Sequence, residues 1–351
     1  MATKEQYQAT LVGCAIGDTL GMAVEGWKRE QIQKYVPGGR IVEPIAPLIV
    51  RDVKGNLLTE DEFGKIKYYT RDLQRGEYTD DTILTVAIAE SIVGREELDL
   101  DDLCQRQLKA YEACRMPSGR VKGGFGGTTK DAFENLKKGK FLFDCGVYPG
   151  LGNGPVMKIS PLALYGDASG LLKRGLDNAV WVAQATHKDT RAIASAPVQV
   201  EALYSLLRGD SREIFLERIV DVCKAYEKHL PKKAALSEKG TLLSKLEWVV
   251  NNQNLDCEDA FRKLGNSALA FESYPFTLFM FQKYFDNPIE GLIETVNFGG
   301  DCDTTGAIFG TLAGAKHGMI FPQAWLDILK NRQHIANLGE KLFYLKNKRF
   351  I

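Results

Sequence analysis

Hydrophobic positions along the chain recur mainly at helical spacing. Residues 211–229 open on a serine suited to cap a helix and place Ile214, Phe215 and Ile219 on one face. The same reasoning predicts helices over residues 98–115, 190–207, 241–251, 257–264 and 289–297, with Gly, Pro or Asn at the breaks. The pattern therefore predicts an all-α protein.

One segment departs from this pattern. Residues 41–78 are rich in charged and β-branched side chains, with Gly55 and Gly64 as turn points. We expect an irregular insertion or a small hairpin there. No low-complexity linker and no internal repeat divides the chain, so residues 1–351 are expected to form a single domain.

Glycines recur at a spacing of four from Gly306 through Gly310 and Gly314 to Gly318. On a helix they would share one face, where a second backbone could approach closely. Each interior glycine costs a helix about 1 kcal/mol relative to alanine, which favours a packing role. A membrane-spanning helix is disfavoured because Lys316 and His317 interrupt the apolar run.

Two acidic clusters stand next to predicted helix starts. The first is Thr79, Asp80 and Asp81, before an apolar helix over 83–93; the second is Asp301, Asp303 and Thr304, before the glycine-rich helix. Either one alone is typical of an N-cap, since Thr and Asp oxygens accept from free helix amides. Each cluster nevertheless has more carboxylates than a cap requires, and an all-oxygen set of this kind suits hard divalent cations. Together the two clusters predict a site for a pair of divalent metal ions.

A calcium-binding hand is the alternative for the second cluster. Asp301, Asp303, Thr305 and Gly306 match its first, third, fifth and sixth positions. Its twelfth position requires a bidentate glutamate, and Leu312 stands there instead. This alternative is therefore rejected.

The composition of the chain indicates its cellular compartment and the kinds of partner it could bind. Lysine plus arginine equals aspartate plus glutamate at 45 each, so no overall charge favours nucleic acid or an anionic membrane. Seven scattered cysteines form no CxxC pair, which suits a reducing compartment. No stretch has the layout of a signal peptide or a membrane span. We expect a cytoplasmic monomer with no nucleic-acid or membrane partner.

Several motifs resemble the ADP-ribosylglycohydrolase family, which includes the dinitrogenase reductase-activating glycohydrolases and the human ADP-ribosylhydrolases. The resemblance spans nearly the whole chain and rests on the stretches GCAIGDTLGMAVEG at 13–26, YTDDT at 78–82, GNGPVMKISP at 152–161, Thr186-His187, and NFGGDCDTT at 297–305. It implies an all-α, orthogonal helical bundle with a dinuclear centre of two Mg²⁺ or Mn²⁺ ions.

The resemblance also implies roles for individual side chains. Thr79, Asp80 and Asp81 would bind one ion, Asp301 and Thr304 the other, with Asp303 bridging both. The implied catalytic residues are Glu25, on a loop that reaches the metals, Asp80 and Asp303. Glu25 would position or deprotonate water, or stabilise the ribosyl cation; without the resemblance it is a solvated carboxylate at a helix end.

The implied substrate contacts lie in three places: Gly123, Gly124, Phe125 and Gly126; Asn153, Gly154, Val156 and Met157; and His187. Glycines in such a loop would let backbone amides approach a diphosphate. Pro155 departs from the family pattern and removes one amide donor. His187 is assigned to the adenosine end, although a lone histidine is more often structural.

The resemblance implies hydrolysis of the bond between ADP-ribose and a protein side chain, with an ADP-ribosylated protein as substrate and ADP-ribose as product. Arginine is the favoured acceptor. The alternatives are a serine-linked or other O-linked hydrolase, a catalytically silent ADP-ribose-binding module, and a metallohydrolase that cleaves phosphate esters. The 41–78 insertion leads directly into the first acidic cluster and is the region to inspect for acceptor choice.

Overall fold

The computed structural model describes residues 2–47, 73–227 and 240–345. Within these ranges it contains seventeen α-helices and no β-strand, which confirms the predicted all-α class. The helices are α1 (Lys4–Gly21), α2 (Arg29–Tyr35), α3 (Asp80–Arg95), α4 (Leu100–Ala113), α5 (Gly127–Lys137), α6 (Gly154–Met157), α7 (Ser160–Ser169), α8 (Leu172–Gln184), α9 (Thr190–Arg208), α10 (Arg212–Glu227), α11 (Leu242–Asn251), α12 (Cys257–Leu264), α13 (Ala270–Lys283), α14 (Pro288–Asn297), α15 (Cys302–His317), α16 (Gln323–Ile328) and α17 (Arg332–Tyr344).

The six helices that periodicity predicted are all present, and their ends agree within two residues. The helices beside the acidic clusters begin earlier than predicted, at Asp80 in α3 and Cys302 in α15. Asp80, Asp81 and Asp303 are therefore first-turn residues, and their carboxylates lie where the helix dipole favours negative charge.

Residues 41–47 and 73–78 form neither helix nor strand, as expected for an irregular insertion. The hairpin predicted between them falls on residues 48–72, which lie outside the described residues. The single-domain assignment remains a prediction.

Helices α1 and α15 lie at the centre of the protein. Every residue from Ala9 to Gly21 in α1 and from Cys302 to Ala315 in α15 is buried. A helix that is covered on all sides belongs in the interior of a bundle.

The glycine face of α15 packs directly on the backbone of α1. A methyl group on Gly310 would lie 2.0 Å from the Gly13 carbonyl oxygen, and one on Gly306 would lie 2.3 Å from that of Gly17. Further along, Gly21 of α1 faces the carbonyl of Cys302 in the same way. The predicted close approach is therefore present, and it brings the acidic start of α15 against the end of α1.

Candidate metal centre

The first acidic cluster is buried at the start of α3. Thr79 is the N-cap, and Thr79, Asp80 and Asp81 are 0%, 6% and 1% exposed. The Asp80 amide donates to the Gly123 carbonyl at 2.7 Å, which ties the cluster to the glycine-rich loop. Carboxylates withdrawn from water in this way require a compensating charge or hydrogen bonds.

The second cluster is equally enclosed at the start of α15. Asp301, Asp303 and Thr304 are 8%, 3% and 3% exposed. One Asp303 oxygen accepts from the Thr304 amide at 2.9 Å. The Asp301 amide donates to the carbonyl of Asn266 at 2.9 Å, and this bond holds the loop that leads into the helix.

The two clusters meet at the carboxylate of Asp81. Its Oδ2 accepts from the Thr79 hydroxyl at 3.1 Å and from the Thr304 hydroxyl at 3.3 Å. Residues more than 220 positions apart in sequence thus share one oxygen atom as hydrogen-bond acceptor. The structure therefore brings together the two clusters that the sequence singled out separately.

Glu25 lies beside the second cluster, in the turn that follows α1. The Gly26 amide donates to the Gly300 carbonyl at 2.7 Å, and the Gly300 amide donates to the Trp27 carbonyl at 2.8 Å. These reciprocal bonds clamp the turn against the loop before α15. Carboxylate oxygens of Glu25, Asp301 and Asp303 all lie within 4.8 Å of one another, a spacing that a metal ion can fill.

Burial and mutual repulsion raise the pKa values of two carboxylates at this site. Burial, then the charges of Asp18 and Asp303, raise the pKa of Asp81 well above its ordinary value. Burial and the charge of Asp303 raise the pKa of Asp18 to about 7, although hydrogen bonds from Thr79 and Thr82 oppose the shift. A divalent cation would relieve this repulsion, and the donors are the hard oxygens that Mg²⁺ and Mn²⁺ prefer. The residues therefore fit such an ion.

A buried lysine, Lys158, lies near Asp80 of the first cluster. Lys158 is fully buried, and its Nζ makes no hydrogen bond to the part of the chain that the structure describes. Burial lowers the pKa of Lys158 to about 8, while the nearby thiol of Cys104 and the Asp80 carboxylate act in the opposite direction. Lys158 thus supplies positive charge on the Asp80 side of the acidic site.

Asn153 connects the predicted substrate loop to the second cluster. Its Nδ2 donates to Asp301 Oδ2 and to the Ser273 hydroxyl, the latter at 3.0 Å. In α6 the amides of Val156 and Met157 both bond to the Asn153 carbonyl. Because those two amides complete the helical turn and Pro155 has no amide hydrogen, this turn offers fewer donors to a diphosphate than the sequence suggested.

The glycine-rich loop divides into two parts. Gly123 and Gly124 have φ values of +97° and +85°, and the Phe125 side chain is buried against Tyr111 with ring centroids 5.1 Å apart. Any ligand contact at Phe125 would therefore come from its backbone. Gly126 is exposed, and a methyl group there would meet nothing within 4 Å. That end of the loop has room for a ligand.

His187 is 1% exposed and packs under the predicted substrate loop that contains Asn153 and Gly154. A methyl group on Gly154 would lie 2.9 Å from His187 Cε1, so the imidazole itself requires glycine there. Its Nδ1 lies 2.8 Å from the Thr186 hydroxyl. Burial, together with the charge of Lys158, lowers the pKa of His187 to about 3, so the ring is neutral at pH 7 and suited to hydrogen bonding.

Two features of the site escaped the sequence reasoning. Asp18, in the last turn of α1, accepts hydrogen bonds from Thr79 of the first cluster and from Thr82 beside it, and its signal was a lone carboxylate inside an apolar helix. The second is that Gly13, Gly17 and Gly21 repeat the spacing of four seen in α15. Matching these two glycine series would have predicted the pairing of α1 with α15.

Comparisons with known proteins show which family this chain resembles in sequence and fold. A family model described as ADP-ribosylglycohydrolase matches residues 1–349. An uncharacterized protein of Archaeoglobus fulgidus is 29% identical over 345 residues, which are 97% of each chain. The ADP-ribosylarginine hydrolase Tri1 of Serratia proteamaculans is 26% identical, over 97% of this chain and 80% of the relative. The ADP-ribosylhydrolase ARH3 of Xenopus tropicalis is 26% identical, over 80% of this chain and 87% of the relative.

A solved structure described as an ADP-ribosylglycohydrolase-related protein complex superimposes with a TM-score of 0.66 at 26% identity and covers 98% of both chains. No helix among the described residues is long and apolar enough to cross a bilayer. With a family model that matches almost from end to end and the same all-α fold, the chain belongs to the ADP-ribosylglycohydrolase family.

Proposed function

We propose that this protein is a metal-dependent hydrolase that cleaves the bond between ADP-ribose and a modified protein side chain, with arginine as the favoured acceptor. The observation that carries the proposal is the convergence of Glu25 and two buried acidic clusters at one place. Membership of a glycohydrolase family supports hydrolysis as the reaction. The relative named ADP-ribosylarginine hydrolase supports the arginine linkage.

Metal ligands are the first role proposed for this site. Thr79, Asp80 and Asp81 would hold one Mg²⁺ or Mn²⁺ ion, and Asp301, Asp303 and Thr304 the other. When bound, these ions would supply Lewis acidity and a fixed template for the ribose diol. The carboxylates balance the charge of the ions, and their burial keeps bulk water from competing with the ligand oxygens for the ions.

Glu25 is the residue we assign to the attacking water. The residue is partly exposed, and its carboxylate lies within 4.8 Å of those of Asp301 and Asp303, so it is the least buried acid at the edge of the site. The bond between C1″ of the ribose and the acceptor nitrogen breaks through an oxocarbenium-like transition state. Water adds its oxygen to C1″ and gives one proton to Glu25. The electron pair of the broken C1″–N bond leaves with the guanidine nitrogen, which receives that proton, and Glu25 returns to its carboxylate form.

Substrate binding falls to the neighbouring loops. Asn153 and Gly154 would meet the diphosphate beside the second cluster, and Gly126 has the open space that a ligand requires. The neutral His187 supports this loop from beneath and serves binding rather than proton transfer. The product would be free ADP-ribose.

The test is a panel of mono-ADP-ribosylated arginine and serine peptides, incubated with Mg²⁺, Mn²⁺ or EDTA and analysed by mass spectrometry. We expect metal-dependent release of ADP-ribose, fastest from arginine. Asp303→Ala should abolish turnover, and Glu25→Gln should abolish turnover while metal binding persists.

Each alternative gives a different result in this panel. Faster release from serine would indicate an O-linked hydrolase, and AMP or phosphate as product would indicate a phosphate-ester enzyme. Binding of ADP-ribose without release would indicate a silent binding module. Full turnover in EDTA or in Asp303→Ala would refute the metal mechanism.

A further inference from the structure

The start of α3 is capped in an unusual way. In a helix with a threonine N-cap, the threonine hydroxyl usually accepts from the second or third helical amide. Thr3 and Thr241 follow this rule, since they accept from the third amides of α1 and α11 at 3.2 and 3.0 Å. Thr79 caps α3 only weakly, since its hydroxyl accepts from the second amide at 3.4 Å.

The third amide of α3 is instead bound by Asp18 of α1. Asp18 Oδ2 accepts from the Thr82 amide at 3.1 Å and from the Thr82 hydroxyl at 2.6 Å. Both Asp18 oxygens also lie 3.0 Å from the Thr79 amide. All of these partners donate to a fully buried carboxylate, so a side chain from a different helix caps α3.

This arrangement leaves the Thr79 hydroxyl available for the metal site. With the third amide bound by Asp18, the hydroxyl turns toward Asp81 and donates to its Oδ2 at 3.1 Å. A hydroxyl has one hydrogen and two lone pairs, so Thr79 donates to Asp81 while it accepts only weakly from the helix, and one lone pair stays open toward the metal site.

Stability alone does not account for Asp18. A threonine already stands at the N-cap and could bind the third amide by itself, as Thr3 and Thr241 do in this chain. Burying a carboxylate among other carboxylates costs free energy that such a cap would avoid. The protein nevertheless keeps Asp18 close to the other carboxylates, and the residues around it have the chemistry of a cation site.

We propose that Asp18 is a positioning residue for the metal centre: by capping α3 from α1, it holds the Thr79 hydroxyl and the Asp81 carboxylate in the arrangement that binds a divalent cation. The inference rests on the proposed function only in assigning those two groups to a metal. Asp18 itself acts through Thr79 and Thr82 and is not assigned as a ligand.

The test substitutes Asp18→Asn and measures Mn²⁺ binding by isothermal titration calorimetry, separately from turnover. Asparagine has the same shape, but its amide group would face donors where a carboxylate oxygen now accepts. Outer-shell partners of metal ligands typically change affinity by about 10- to 100-fold, and we expect Asp18→Asn to weaken Mn²⁺ binding by at least about tenfold. Because the ligands themselves remain, turnover should recover at saturating Mn²⁺.

Asp167→Asn is the matched control. Asp167 accepts from the hydroxyl of Tyr7 at the opposite end of α1, so this variant also weakens a carboxylate contact to α1. We expect it to bind Mn²⁺ as the unmodified protein does. If Asp18→Asn folds poorly, calorimetric stoichiometry still reports the folded fraction, and Thr82→Val removes one donor to Asp18 while keeping the carboxylate. Thr82→Val should weaken Mn²⁺ binding by about threefold, below the usual outer-shell range because the backbone donors remain.

Several outcomes would overturn the inference. The first is a dissociation constant for Mn²⁺ in Asp18→Asn within twofold of that of the unmodified protein. The second is an equal loss of Mn²⁺ affinity in Asp167→Asn. The third applies if Asp18→Asn does not fold, and it is an unchanged Mn²⁺ affinity in Thr82→Val. If the unmodified protein binds no Mn²⁺, the inference and the proposed function both fail. If it binds Mn²⁺ but releases no ADP-ribose, only the proposed function fails, and the Asp18→Asn affinity still decides the role of Asp18.

Discussion

Replacing Gly310 by alanine tests whether the glycine face of α15 sets the central helix packing. The added methyl carbon would lie 2.0 Å from the Gly13 carbonyl oxygen and 2.8 Å from its carbon. An unstrained carbon–oxygen contact is about 3.4 Å, so α1 and α15 would have to separate locally by more than about 1 Å. Both obstructing atoms belong to backbone, and no side-chain rotation relieves the overlap.

The expected free-energy change combines two opposing effects. Alanine is the better helix former by about 1 kcal/mol, which stabilises the folded state. Overpacking a well-packed core costs about 1–3 kcal/mol, and a backbone obstacle places Gly310→Ala at the upper end of that range. The net loss is about 2 kcal/mol, which corresponds to a melting temperature lower by about 3 °C for a protein of this length.

Differential scanning calorimetry of Gly310→Ala and Gly94→Ala, both in EDTA, measures this effect. Gly94 is an exposed residue of α3, where the nearest atom to an added methyl is the flexible end of Arg106 at 3.0 Å. Gly94→Ala should keep the helix-propensity gain and be neutral or stabilised by up to about 1 kcal/mol. If Gly310→Ala is as stable as Gly94→Ala, close packing does not explain the α15 glycines.

Three further predictions follow from buried polar groups. In EDTA the protein should be more stable at pH 5 than at pH 7.5, because Asp18, with a pKa raised from 3.8 to about 7, and Asp81, whose pKa is also raised, stabilise the folded state below their folded pKa values and lose this contribution as the pH rises through them. The lowered pKa of His187 acts in the opposite direction only up to its unfolded value of 6.5, so the two carboxylates set the sign, and a melting temperature that increases over this range would contradict it. Asn153→Ala should weaken Mn²⁺ binding by about tenfold, because Asp301 loses its amide donor; unchanged calorimetric affinity would show that this contact does not orient the ligand. Tyr204→Phe should be neutral or stabilising by about 1 kcal/mol in thermal unfolding, because the buried Tyr204 hydroxyl makes no hydrogen bond within the described residues; a loss above about 1 kcal/mol would reveal a partner.

The features that could be predicted from the sequence were those encoded within a few neighbouring residues. Helix positions followed from the spacing of apolar residues, and six predicted helices end within two residues of the observed ones. The glycine face was readable because its period of four places every member on one side of α15. The excess of carboxylates at two helix starts was equally local.

The contacts that complete the site could not be read in this way because their partners are distant in sequence. Asp18 and Thr82 are 64 residues apart, and Asn153 and Asp301 are 148 apart. The motifs that contain these residues give no sign of which group pairs with which. The substrate loop shows the same limit, since Gly154 was assigned to a ligand but its absent side chain also accommodates His187.

By itself, the sequence determined that the protein is helical, that one helix packs closely through glycine, and that two helix starts carry more oxygen ligands than a cap requires. Tertiary structure decided that those helix starts share the Asp81 carboxylate, that Glu25 reaches Asp301, and that Asp18 binds the third amide of α3. The physical reason is that helix formation and capping depend on residues within one or two turns. Burial of like charges together, and the hydrogen bonds that make it tolerable, arise only when distant helices pack.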